Sequence, residues 1–416
     1  MARLIFHVDV NSAYLSWEAA RQVREGKADL RKIPSCIGGD PQKRTGVVLA
    51  KSIPAKQCGV RTGEPMALAL RKCPELMIVA PDFRLYESCS CAFMDICRNY
   101  APVVEKFSID ECFLDMSGTG HCYPDPVRTA YEIKDTIRNM LGFTVNVGIG
   151  PNKLLAKMAS DFEKPDKVHT LFQKEIPDKL WPLPVGDLLS VGYSTAAKLK
   201  RARIETIGAL AGRELAEIQR LVGVKLGQQL YCYANGLDDS PVLEQPQEAK
   251  GYGISTTLNE NVTTWGHANR IFLSLADSVS SRMRADKAKA YCIAVNIRSN
   301  EFKNRSHQRK LECATDITGE IYQTAKELFA ELWDGRTPLR LLGISLSDIV
   351  RDEEEQLTLF ADPSRERARK LDKAVDAIRS KYGTQLITRG STCREENRIG
   401  RKYKAQMERR RQENEK

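Results

Sequence analysis

Three carboxylates stand out among the chemistry-bearing side chains of this 416-residue chain. Asp9 ends the run R-L-I-F-H-V-D-V at 3–10, and Asp110 and Glu111 are adjacent within F-S-I-D-E-C-F-L-D at 107–115. In the first run Leu4, Phe6, Val8 and Val10 alternate with Ile5, His7 and Asp9, which is the period of a strand. Both faces are largely apolar before the aspartate, so a buried strand with a carboxylate at its C-terminal end is predicted. The segment 103–116 predicts two short strands meeting near Ile109–Glu111. Neighbouring residues of a regular strand point to opposite faces, so a bend there must turn both carboxylates toward one place. Three converging carboxylates without histidine or cysteine favour a hard cation such as Mg²⁺. Two such ions, about 3.5–4 Å apart, can activate a hydroxyl and stabilise an in-line phosphoryl displacement. The competing reading is ordinary strand-end charges paired with surface lysines, and spacing alone leans toward it.

The elements that must position these groups read as a mixed α/β sheet with helices on one face. T-V-N-V-G-I-G at 144–150 is a further strand, and 83–100 and 125–141 are helices. From 183 to 212 the pattern becomes helix, tight turn, helix, and Pro241 and Pro246 mark a linker. Residues 251–350 alternate strand-like and helical runs, a second α/β domain. Beyond Arg351 the chain is highly charged, with one apolar peptide at 356–360, then a helix and a basic tail.

This length implies about two to four domains. The net charge of +10, from 64 basic and 54 acidic residues, suits a polyanionic partner, although a generic surface charge explains it equally well. Twelve cysteines without a C-x-x-C, and five scattered histidines, give a zinc site little support and point to reduced thiols. The N-terminus lacks a secretory signal, and no apolar run of roughly 18 residues occurs, so a cytoplasmic protein without a membrane span is expected. G-I-G-P-N-K at 148–153 lacks both the third glycine of a dinucleotide fingerprint and the K-[ST] of a Walker loop, and reads as a strand-to-helix turn.

H-V-D-V-N-S-A-Y at 7–14, F-S-I-D-E-C-F-L-D at 107–115 and V-G-I-G-P-N-K-L-L-A-K-M-A-S-D-F-E-K-P at 147–165 resemble the Y-family of DNA polymerases. They stand in that family's order and at comparable separations. The likeness continues through G-V-R-T-G-E-P at 59–65 and G-L-D-D-S-P-V at 236–242, and covers roughly residues 3–350. It implies a right-hand polymerase of the α/β (α+β) class. A mixed-sheet palm would be 1–10 and 77–166, small fingers 11–76, and a helical thumb with a helix-hairpin-helix 167–235. A linker at 236–250, an α/β little finger at 251–350 and a charged tail at 351–416 would follow. The resemblance also implies low-fidelity, template-directed synthesis through lesions on primer–template DNA with deoxynucleoside triphosphates. By that likeness Asp9 and Asp110 ligate two Mg²⁺ ions (Mn²⁺ being an alternative), the Val10 carbonyl assists, and Glu111 completes the site. Tyr14 matches the aromatic steric gate that excludes a 2′-hydroxyl, and Lys164 the lysine that meets the triphosphate.

Some positions depart from the family's pattern. Where many relatives carry Y-x-x-R in the fingers, this chain has Ile53 and Lys56. Ile53 donates no hydrogen bond, and Lys56 is a point charge without arginine's fork, which shifts triphosphate binding toward Lys56 and Lys164. Asn11 stands where many polymerase IV-like members have aspartate, a feature shared with the polymerase V catalytic subunit branch; the polymerase IV-like branch is favoured. V-G-Y-S at 191–194 resembles the hairpin turn that binds a DNA phosphate through backbone N–H groups. Two basic clusters, Arg282, Arg284, Lys287 and Lys289, and Lys303, Arg305, Arg309 and Lys310, are candidates for template-backbone contact. Gln356, Leu357, Leu359 and Phe360 resemble the short peptide by which bacterial polymerases dock on the sliding β-clamp. A monomer is expected. The alternatives are a two-metal nuclease or nucleotidyl cyclase on a similar sheet, and a catalytically impaired DNA-bound scaffold tethered to the clamp.

Overall fold

The computed structural model describes residues 3–40, 46–245, 247–351, 363–383 and 386–389. The peptide 356–360 lies outside them. Two compact units divide at residue 246.

The first unit is built on the strand that ends in Asp9. In chain order its elements begin with β1 (Ile5–Val10), α1 (Ala13–Arg24), β2 (Ser35–Gly38), β3 (Val48–Lys51), α2 (Ile53–Gln57), α3 (Met66–Lys72) and β4 (Met77–Val79). Then come α4 (Phe83–Arg98), β5 (Val103–Lys106), β6 (Glu111–Asp115), α5 (Pro126–Leu141), β7 (Val145–Gly150), α6 (Lys153–Ser160) and β8 (Val168–Thr170). Five of the strands form one sheet in the order β5-β6-β1-β7-β8, with β1 central and antiparallel to both neighbours. Ile5, Phe6 and Val8 are wholly buried. Each such side chain contributes roughly 1.5–3 kcal/mol by leaving water, enough to anchor the strand whatever charge its end carries. β8 pairs with β7, so the sheet runs to Thr170, past residue 166 where the palm was expected to end.

Helix α6 lies against β1 and β7 because β7 carries glycine where the helix approaches. A Cβ on Gly148 would sit 2.0 Å from the Ala156 carbonyl oxygen, and one on Gly150 2.8 Å from the Ala156 nitrogen. The G-I-G-P-N-K segment is thus a strand-to-helix turn, closed by Asn152, whose side chain accepts from the Leu155 N–H at 2.8 Å. The G-L-D-D-S-P-V segment fastens to the same helix start. Asn152 Nδ2 donates to the Gly236 carbonyl at 2.8 Å, and Asp238 accepts from the Leu154 N–H at 3.1 Å.

The small sheet β3-β2-β4 packs with α2 and α3 around Cys36, Val48, Met66 and Ala69. Beyond residue 170 the unit turns helical, with α7 (Tyr193–Arg201), α8 (Ile207–Ala211), α9 (Leu215–Val222) and α10 (Val224–Ala234) around Leu199, Ile207, Ile218 and Leu230. A 3₁₀ turn, Val185–Asp187, stands directly before the hairpin in place of the first helix of the expected helix, tight turn, helix pattern.

The second unit holds β9 (Tyr252–Val262), α11 (Trp265–Ala285), β10 (Ala288–Ser299), β11 (Asn304–Thr315), α12 (Thr318–Leu332), β12 (Leu339–Arg351) and α13 (Pro363–Tyr382). Its sheet is wholly antiparallel in the order β11-β10-β12-β9, with α11 and α12 covering one face. Helix α13 is held largely by charge. Arg365 pairs with Glu320, Arg369 with Asp316, and Arg379 with Asp277, while Arg284 on α11 reaches Asp372 and Asp376. Among the described residues no helix is long and apolar enough to cross a membrane.

Candidate active site

The three carboxylates share one end of the central sheet. Asp9 faces Glu111 in register across β1 and β6. Asp110 sits in the turn before β6, and its carbonyl accepts from the Val10 N–H at 2.9 Å, which ties that turn to the end of β1. The bend expected at 109–111 is the break between β5 and β6.

Each carboxylate has its own partners. Glu111 accepts from His7 Nε2 at 2.9 Å and from Lys157 of α6. Asp9 pairs with Lys164, which also reaches Asp161 at 2.8 Å. Asp110 accepts from the Ser108 hydroxyl at 2.6 Å. Burial pushes the Asp9 carboxyl above the usual aspartate range, against the pull of the Lys164 charge. Burial acts the same way on Glu111, but the hydrogen bonds from His7 and Lys157 outweigh it and bring its carboxyl down to about 2.

His7 is 1% exposed, and burial lowers its pKa, favouring the neutral ring. A proton on Nε2 donates to Glu111, while Nδ1 lies 2.8 Å from Ser160 Oγ, whose hydroxyl donates to the Lys157 carbonyl at 2.8 Å. His7 escaped notice as a site residue. In the alternating run it reads as one more inward position, and only the register with β6 shows that it supports Glu111.

Whether these groups fit metal ions follows from the donor set. Asp9 and Glu111 are two like charges directly opposite on paired strands, a destabilising arrangement unless cations lie close by. Two ammonium groups, from Lys157 and Lys164, supply that positive charge. The lysine pairing weighed as the bland alternative is therefore present, but at a half-buried site rather than on an open surface. The carboxylate oxygens do not all come within 4.8 Å of one another. All of them are hard oxygen donors, and such a set suits a divalent cation of the Mg²⁺ type. Among the described residues the donors that do converge are Cys58, Cys73 and Glu75. Burial pushes the Cys73 thiol up to about 11, which disfavours the thiolate a metal needs.

Tyr14 lies in the first turn of α1, five residues past Asp9. Its ring stacks on buried Tyr86 of α4 at 4.7 Å and meets Phe83 edge-on at 6.1 Å. Ile53 and Lys56 are exposed on α2, and Ser52 caps that helix by accepting from the Ala55 N–H at 3.1 Å. The cap fixes where the helix begins, and so which way these two residues face.

The hairpin turn leads into α7 with Gly192 as its N-cap and no side-chain cap; Tyr193 is 94% exposed. The first N–H groups of α7 are thus not occupied by a capping side chain. Of the basic cluster at 282–289, Lys287 is exposed, but Arg284 is turned to Asp372 and Asp376, and Lys289 is buried. In the second cluster Arg309 is paired with Glu327 and Glu331, and Lys310 with Asp348. Charge density suggested DNA contact for these residues; the partner each one has here is decided by the elements packed against it.

Comparison with known proteins places the chain among characterised relatives. The impB/mucB/samB family matches residues 8–161, its C-terminal domain residues 249–359, and the DNA polymerase-iota thumb domain residues 186–238. The chain is 43% identical to DNA polymerase IV of Clostridium acetobutylicum over 96% of its own length and 100% of that protein. It is 36% identical to DNA polymerase IV 1 of Bacillus subtilis over 95% of its length and 94% of that protein. A Y-family DNA polymerase chimera of solved structure superposes with a TM-score of 0.71 at 22% identity, covering 84% of this chain and 100% of that one. At that identity the likeness speaks to the fold.

Proposed function

The chain belongs to the Y-family of DNA polymerases, in its polymerase IV group, and on that premise we propose which of its residues carry out translesion synthesis. Asp9, Asp110 and Glu111 are the catalytic carboxylates, and with the Val10 carbonyl they would hold two Mg²⁺ ions, Mn²⁺ being an alternative. Bound there, they would supply Lewis acidity for in-line attack of the primer 3′-hydroxyl on the α-phosphate, with pyrophosphate as the leaving group. The single observation that carries the assignment is the facing of Asp9 and Glu111 in register, with Asp110 beside them and a lysine on each facing carboxylate.

Lys164 and Lys56 meet the triphosphate as point charges. Lys164 is paired with Asp9, and with that carboxylate engaged as a metal ligand its ammonium would be left for phosphate oxygens. Tyr14, backed by Tyr86, lies under the incoming sugar and excludes a 2′-hydroxyl. The uncapped start of α7 binds a DNA phosphate through backbone N–H groups. Residues 356–360 dock on the sliding β-clamp through Leu359 and Phe360, with Gln356 and Leu357 beside them. The protein acts as a monomer.

Primer extension with Mg²⁺ and one deoxynucleotide at a time tests the reading, with Asp110→Ala as the control variant. Templated addition by the wild type and its loss in Asp110→Ala are expected, with primer–template affinity kept within about three-fold because basic contacts dominate it. A tenth or more of the wild-type rate in Asp110→Ala would remove that carboxylate from the metal site. Binding without turnover in the wild type would favour a scaffold.

A further inference from the structure

We propose that Asn11 is a positioning residue for Lys164, acting with Asn146 on the turn 163–167, and so sets the affinity for the nucleotide's triphosphate. The proposal rests on the reading of Lys164 as a triphosphate contact. Asn11 follows β1 directly and is 7% exposed. Its Nδ2 donates to Asn146 Oδ1 at 3.0 Å, and its Oδ1 accepts from the Asp166 N–H at 2.9 Å. Asn146, wholly buried on β7, donates through Nδ2 to the carbonyls of Ser160 at 3.0 Å and Glu163 at 2.7 Å. Its Oδ1 also accepts from the Lys167 N–H at 3.2 Å.

The two amides therefore grip main chain on both sides of Lys164. The outer side of the same turn is gripped by α5, where Lys134 Nζ and Arg138 Nη1 each donate to the Asp166 carboxylate at 2.9 Å. Asp166 has φ of 62°, a left-handed conformation that disfavours residues with a Cβ. These bonds hold it there. Lys164 has a long, flexible stem, so where its ammonium can reach depends on where this backbone is held.

In this chain the amide at position 11 both donates to Asn146 and accepts from Asp166. A carboxylate there has no donor, and its oxygen would face Asn146 Oδ1. Asn146 could turn its NH₂ toward that oxygen only by giving up Ser160 and Glu163. Asn11→Asp is thus a nearly isosteric break of one link in the chain from β1 to Lys164.

The test measures nucleotide KM and kcat, primer–template affinity and melting temperature for Asn11→Asp, Lys164→Ala and the double variant. Asn11→Asp should raise KM about 5- to 30-fold, the effect of one lost buried hydrogen bond, with kcat and DNA affinity within about three-fold. In the Lys164→Ala background the same substitution should add nothing, because the turn then has no ammonium to aim. If Asn11→Asp fails to fold, Asp166→Ala, which releases the α5 grip, carries the same KM test and the same cycle. A raised KM in Lys164→Ala with an unchanged KM in Asn11→Asp would overturn the positioning role alone. So would equal effects of Asn11→Asp with and without Lys164. An unchanged KM in Lys164→Ala would overturn the triphosphate reading itself.

Discussion

Asp9 and Glu111 stand directly opposite each other across β1 and β6, two acidic side chains in register on a sheet otherwise built for burial. A pair of like charges opposite on neighbouring strands destabilises a sheet by some 0.2–1 kcal/mol. Lys164 and Lys157 offset that repulsion, one for each carboxylate. A sheet selected only for stability would place apolar or oppositely charged residues here. The repulsion and its offset together are the observation on which the proposed cation site rests.

The Glu111 carboxyl gives the fold a dependence on acid. It is held at about 2 against an ordinary 4.5, so its contribution is complete above the ordinary value and disappears as pH falls from there through about 2. That contribution is on the order of 3 kcal/mol at neutral pH. Glu111→Gln should therefore lose less melting temperature than the wild type between about pH 5 and pH 2.5. Asp9 has the opposite sign: its raised carboxyl opposes folding when charged, and that penalty is relieved as pH falls through the raised value. Equal acid sensitivity in Glu111→Gln and wild type would show that His7 and Lys157 do not hold this carboxylate as described.

Tyr14 and Tyr86 make a graded prediction about the sugar. Tyr14→Ala should admit ribonucleotides, because discrimination by a clash works by destabilising the wrong substrate. Tyr86→Leu removes the ring stacked at 4.7 Å behind the gate and should relax the same preference by a smaller factor. Single-nucleotide kinetics with matched deoxy and ribo substrates decide it. A preference unchanged in Tyr14→Ala would place the gate elsewhere.

Arg284 tests the second unit. Its guanidinium is nearly buried between Asp372 and Asp376, and Asp372 also accepts the Thr318 N–H at the start of α12. Removing one partner of such a pair costs about 3–5 kcal/mol, because the other charges stay buried. Arg284→Ala should expose residues 363–382 to hydrogen exchange and trypsin while bare-primer extension persists. A loss of DNA affinity with α13 still protected would instead restore the template-contact role suggested by the basic run.

The peptide Gln356-Leu357-Thr358-Leu359-Phe360 makes a prediction about processivity. Truncating two apolar anchors of a docking peptide costs about 2–4 kcal/mol, or about 30- to 1,000-fold in affinity. Leu359→Ala combined with Phe360→Ala should abolish clamp-stimulated synthesis and leave distributive extension and melting temperature unchanged. An equal fall in all three would make the peptide a structural element.

By itself the sequence determined the period-2 strand that carries Asp9, the break before Glu111, the glycines that admit α6, and the polymerase family. Alternation, turn residues and close-approach glycines act locally, so they can be read along the chain. Local patterning also located the helices Phe83–Arg98 and Pro126–Leu141 to within a few residues. It could not say that His7 supports Glu111, that Asn11 and Asn146 grip the Lys164 turn, or that Arg284 faces α13 and not DNA. Those relationships join residues between 17 and 155 positions apart or reverse the direction of a charged side chain. They are decided by strand register and helix packing, because a buried polar group must find its partner wherever the fold places one.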